Sequence, residues 1–103
     1  MINVIEQIIE FTQKLVTTPS QNFIDSESVV ANLVFKKLKE FGFEPEIIGP
    51  KEHPSVFCHI KKENASKTIW LESCLDTVPA GDAAKWEYPP FEAKIVSNRM
   101  YGR

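Results

Sequence analysis

Cysteine is scarce in this sequence, which holds only Cys58 and Cys74. The two form neither a Cys-x-x-Cys pair nor the dense, even spacing of a disulfide framework, so a stapled secreted scaffold is excluded. Glycine is thin as well, at four residues, and no glycine-rich loop able to cradle a phosphate is present. No apolar run approaches the ~20 residues of a membrane span. An excess of one charge is missing too. Twelve Lys and Arg stand against fourteen Asp and Glu, a net charge of −2, and this removes the basic footprint of a nucleic-acid binder. Glu6 falls where a secretory signal would carry a basic stretch and an uninterrupted apolar segment. Together these absences predict a soluble chain in a reducing, cytoplasmic setting, with neither nucleic acid nor membrane as partner.

What is present is enough for one domain. At 43% apolar residues over 103 positions, folding can hide about two thirds of the surface of the unfolded chain. Residues 1–103 therefore read as a single domain with no internal linker, repeat or low-complexity tract. Asn3 with Glu6 three residues on has the form of a capping box, which supplies acceptors for the first free N–H groups of a helix. Ile5, Ile8, Ile9, Leu15 and Val16 then recur at helical spacing, and Pro19 ends the run. A second helix is expected to start at Asp25 or Ser26. Val30, Leu33, Val34, Leu38 and Phe41 would form its buried stripe, with Gly42 as left-handed C-cap.

Beyond Gly42 the period changes. Residues 43–48, 55–60 and 68–72 read as short strands, with a polar loop at 61–67. Pro79, Pro89 and Pro90 make 77–90 a loop, and Ser97-Asn98 sits between two short apolar runs as a closing hairpin. Two helices followed by strands predict an α/β fold, with both helices packed on a small mixed sheet.

The chemically dense stretch runs Ile-Trp-Leu-Glu-Ser-Cys-Leu-Asp-Thr-Val-Pro-Ala-Gly-Asp over residues 69–82. An apolar strand here would deliver Cys74 and Asp76 at its C-terminal end, where open α/β sheets bind ligands. Being two apart, both side chains fall on one side of the strand. A thiolate can ligate zinc, and a neighbouring carboxylate can orient a ligand or take a proton. The plainer alternative is a buried cysteine followed by a turn-forming aspartate. His59 lies in an apolar run and reads as a core or edge-strand histidine, while His53 beside Pro54 reads as solvated. Ser20, Ser73 and Thr77 lack a neighbouring histidine base, so a nucleophilic hydroxyl has no support. Glu87 and Glu92 read as solvated loop charges, and Trp86, Tyr88 and Phe91 as aromatics packing the long loop onto the sheet.

Residues 71–79 followed by Ala80-Gly81-Asp82, Trp86, Tyr88, Pro90-Phe91-Glu92-Ala93 and Arg99-Met100-Tyr101-Gly102-Arg103 resemble one family. It is the zinc metallohydrolases that include acetylornithine deacetylase, succinyl-diaminopimelate desuccinylase, aminoacylase and the glutamate-releasing carboxypeptidases. Leu15-Val16 with Pro19-Ser20, Glu27, and Phe41-Gly42-Phe43-Glu44 extend the resemblance to nearly the whole chain. It implies the N-terminal part of a three-layer catalytic domain, without the inserted dimerisation domain. The implied cofactor is zinc (or cobalt), and the implied substrate is an N-acyl amino acid or peptide whose amide is hydrolysed. In that family a metal pair generates hydroxide and polarises the carbonyl while a carboxylate moves the proton.

Two departures separate the sequence from that pattern. The position of the family's metal-ligating histidine holds Cys74, and the preceding glycine is Ser73. A thiolate adds negative charge and a bond of ~2.3 Å against ~2.0–2.1 Å for histidine, which lowers the Lewis acidity of a bound metal. Asp76 matches the aspartate that orients the ligating histidine, and that partner is absent here. The metal-bridging aspartate, the Glu-Glu pair with the general base and the other ligands would all lie beyond Arg103. The expectation is therefore a truncated, inactive segment that does not hold zinc tightly by itself. The alternative is a non-catalytic interaction module, or one half of a split enzyme, pairing through an exposed sheet edge. Uncovered edges also predict self-association or marginal stability of the isolated chain.

Overall fold

Asn3 and Glu6 start the first helix as their spacing predicts. The Glu6 amide donates to Asn3 Oδ1 at 2.9 Å and the Asn3 amide donates to Glu6 Oε2 at 3.0 Å. This reciprocal pair opens α1, Val4–Val16, in the computed structural model, which describes residues 2–103. Thr17 and Thr18 turn their hydroxyls back onto the Gln13 and Lys14 carbonyls and close the helix before Pro19.

The second helix, α2, spans Ser28–Glu40, two or three residues later than expected. Residues 26 and 27 explain the delay. The Ser26 hydroxyl donates to the Glu52 carbonyl at 2.7 Å and the Glu27 amide donates to the same oxygen at 3.1 Å, which holds both outside the helix. Ser26 Oγ accepts from the Ser28 amide at 3.0 Å where the helix begins. At the other end Gly42 adopts φ +88. Its amide donates to Lys39 O and the Phe43 amide to Leu38 O, the paired bonds of a Schellman ending.

The α/β class holds, but the sheet differs from expectation. Strands β1 (Glu46–Ile48) and β2 (Ser55–Phe57) form one antiparallel hairpin, and β3 (Lys94–Val96) and β4 (Arg99–Tyr101) form another. The expected mixed sheet is replaced by these two separate ribbons. Ser97 and Asn98 both take positive φ, 49° and 63°, as a two-residue hairpin turn requires. Residues 68–72 form no strand. Their composition suits one, but an extended segment becomes a strand only where a neighbour accepts its N–H and C=O groups, and none is there.

Helix α2 packs on the β1–β2 hairpin and buries Val30 and Ala31. Helix α1 buries no residue fully, so the expectation that both helices cover a sheet holds for α2 alone. Among the described residues no large side chain is fully buried, and Val30, Ala31 and Ala93 are the buried hydrophobics. The consequence is an open shape. The radius of gyration is 16.0 Å, against about 13 Å for a self-contained domain of this length.

The end of α1 meets the end of the β3–β4 hairpin at Gly102. A methyl group there would lie 2.4 Å from Val16 Cγ1 and 3.1 Å from the Pro90 carbonyl oxygen. Valine's stiff χ1 leaves little room to yield. Gly102→Ala is expected to destabilise the chain by about 1–3 kcal/mol through this overlap. Thermal or urea melts check it, and adding Val16→Ala should recover part of the loss.

Candidate functional site

Pro19 ends α1 and sends residues 20–22 alongside residues 75–77. Gln21 and Thr77 form a parallel bridge. The Asn22 amide donates to Thr77 O at 2.8 Å, and the Thr77 amide donates to Ser20 O at 3.0 Å. Ser20, only 4% exposed, adds a hydrogen bond from its Oγ to Leu75 O at 2.7 Å. Two motifs that lie far apart in the sequence are thereby held side by side.

Asp76 is half-buried within this junction and accepts a 2.7 Å hydrogen bond from Asn22 Nδ2. Cys74, two residues earlier, is exposed and unpaired, which overturns the reading of it as a buried cysteine. The next turn is fixed from both sides. Gln21 Oε1 accepts from the Ala80 amide at 2.9 Å, and Trp86 Nε1 donates to Ala80 O at 2.9 Å. Asp82 caps the short helical turn Ala83–Lys85 by accepting from the Ala84 amide. The Arg103 guanidinium lies 5.3 Å from the Trp86 ring, within cation–π range. Tyr88 packs against Tyr101 with ring centroids 4.6 Å apart and the rings tilted by 59°.

A second polar cluster was not foreseen from the sequence. Glu27 is only 8% exposed, and its Oε2 lies 2.5 Å from His53 Nδ1. His53 is solvent-exposed as expected, and its ring is also tied to the start of α2 through Glu27. His59, expected in the core or on an edge strand, lies past the end of β2 and is exposed, because the strand stops at Phe57. Between Asn22 and His53 the loop bends sharply. Phe23 takes φ 66 and is fully exposed at 102%, a costly conformation for a bulky residue. Asp25 Oδ2 holds the bend by accepting from both the amide and the side chain of Gln21 at 3.0 Å. Gln21, Asn22 and Glu27 are ordinary polar residues in the sequence, and only Glu27, an acid entering an apolar helix, carried a signal.

The donor set for zinc is not assembled here. Among the described residues no group of three His, Cys, Asp or Glu is placed to hold a metal ion. Cys74 faces solvent, and the Asp76 carboxylate is engaged by a neutral amide. These residues do not fit a zinc centre on their own, which requires three or four protein ligands.

No family model matches the chain. It is 28% identical over 97 residues to a succinyl-diaminopimelate desuccinylase of Ehrlichia canis (strain Jake). The match takes in 92% of this chain and 25% of that protein, so the chain spans about a quarter of that relative's length.

Ser20→Ala removes the hydroxyl that satisfies Leu75 O and is expected to cost about 1–2 kcal/mol in a denaturant melt. Cys74→Ser, at an exposed position, should stay within about 0.5 kcal/mol of the parent.

Proposed function

We propose that these residues are the N-terminal segment of a metal-dependent hydrolase acting on the amide bond of N-acyl amino acids or peptides. The observation that supports it most is the convergence of the residues carrying the resemblance. Ser20 is bonded to Leu75, Trp86 to Ala80, and Val16 abuts Gly102, while Asn22, outside the resemblance, is bonded to Asp76. The likeness to the desuccinylase over 97 residues supports the same reading. On this reading Asp76 is a positioning residue whose carboxylate is oriented by Asn22. The metal ligands and the general base are contributed by residues other than those described, and the chain is inactive by itself. Hydrolysis is the reaction class, and no step of it is assigned to these residues alone.

A second reading rests on one observation. Residues 68–72 form no strand and have no backbone hydrogen-bond partner, and Trp70 and Leu71 are 76% and 93% exposed. Side chains on both faces are apolar, so a pairing strand from another chain would find two edges and two faces open. That arrangement suits one half of a split enzyme or an interaction module. Protection of the amides of residues 68–72 from hydrogen exchange on adding the complementary segment would mark the split enzyme.

Metal content and activity test the hydrolase reading. After dialysis, elemental analysis of the isolated chain should find zinc far below one equivalent, and Cys74→His alone should generate no amidase activity. Joined to the remaining three quarters of the Ehrlichia desuccinylase, the Cys74→His chain should hydrolyse the substrate that enzyme's name gives, N-succinyl-diaminopimelate. Asp76→Asn in that chimera should lower activity or metal affinity about 10–100-fold. A chimera that folds and holds metal yet shows no hydrolysis overturns the proposal.

A further inference from the structure

The bend at residues 21–25 is closed on itself. The Ile24 and Asp25 amides both donate to the Gln21 carbonyl, at 3.2 and 2.9 Å. Asp25 Oδ2 returns the contact by accepting from the Gln21 amide and from Gln21 Nε2. At the apex Phe23 takes φ 66 with its ring in solvent. Packing of that ring therefore does not hold the strained shape, and the four hydrogen bonds do. Backbone strain that the surroundings sustain in this way is a mark of functional segments.

The bend delivers the Gln21 side chain. Its amide has a donor end and an acceptor end, and could sit either way round. A carboxylate only accepts, so Asp25 takes the Nε2 end and leaves Gln21 Oε1 on the Ala80 amide, at 2.9 Å. The Ala80 carbonyl in turn accepts from Trp86 Nε1. Asn22, the next residue of the bend, donates to Asp76 Oδ2 at 2.7 Å. One bend thus reaches both Asp76 and the turn that leads away from it.

We propose that Asp25 is a positioning residue of this site. By setting which way round the Gln21 amide lies, it fixes the turn at residues 77–80 and with it the placement of Asp76. The inference rests on the hydrolase reading for the reaction it serves, and on the hydrogen-bond geometry for the relay itself.

Amide hydrogen exchange on the full chain tests the relay. In Asp25→Ala and in Gln21→Leu the Ala80 amide should lose protection by about tenfold or more, while the Ala31 and Phe43 amides, bonded within and at the end of α2, keep theirs. Asp25→Asn, which can offer Gln21 either an oxygen or an amide, should fall between. Phe23→Asn, which suits the left-handed region, should leave Ala80 unchanged. An unaltered Ala80 in both Asp25→Ala and Gln21→Leu overturns the proposal. So does equal loss at Ala80, Ala31 and Phe43, which would make Asp25 a residue of the fold alone. In the Cys74→His chimera, Asp25→Asn should lower kcat about tenfold with KM nearly unchanged. An active chimera indifferent to that change overturns the positioning role. A chimera inactive with Asp25 in place counts against the hydrolase reading instead, and the Ala80 exchange then decides the relay.

Discussion

The pairing of residues 20–22 with residues 75–77 is the constraint on which the arrangement of this chain depends. Helical α1 and α2 precede it and the aromatic loop and β3–β4 follow it, and each half holds little buried apolar surface of its own. A parallel bridge normally sits within a broad sheet, yet here one bridge carries two backbone bonds and the Ser20 hydroxyl. Parallel pairing is slightly weaker per residue than antiparallel pairing. Burial of Ser20 compensates by shielding its hydrogen bond from water, where such a bond is worth more. The placement of Asp76, the turn at Ala80 and the packing of Trp86 are all set downstream of this junction.

The same junction explains why the segment before it stays single. Residues 75–77 find partners because Pro19 ends α1 and delivers 20–22 beside them. Residues 68–72 have no such delivery: β2 stops at Phe57, and the chain from 59 to 67 is exposed and turns at Asn64 without pairing. The Phe57 and Trp70 rings approach to 6.0 Å, so the side chains touch while the backbones do not pair. A strand is a property of two segments, whereas a helix satisfies its hydrogen bonds within one.

That distinction also sorts what was legible in the sequence. The Asn3–Glu6 box, the Gly42 ending and the Ser97-Asn98 turn are each decided within six residues, and each formed as its local chemistry predicts. The onset of α2 slipped because Ser26 bonds to Glu52, a residue 26 positions away. Asn22 on Asp76 spans 54 positions and Glu27 on His53 spans 26, and neither pair has a spacing rule that brings it together. In the candidate site, Asp76 and Cys74 stood out by their motif. Their surroundings, an amide for one and solvent for the other, are set by tertiary packing.

The residues that carry the resemblance to zinc metallohydrolases mostly have a folding role in this chain. Ser20 closes the junction, Asp82 caps a helical turn, Trp86 anchors the loop to Ala80, and Gly102 leaves room for Val16. None of these roles requires a metal. The position whose chemistry would require one is Cys74, and its thiol takes part in no packing or hydrogen bond that holds the fold. Asp76 makes the same point from the other side. A carboxylate that would otherwise need a charged or ligating neighbour is satisfied here by the Asn22 amide, so it is held in place without a histidine. Scaffold and chemistry are thus separable in this chain. The framework that positions residues 74–76 stands on backbone pairing and packing, and the proposed hydrolytic chemistry needs ligands that these residues do not supply.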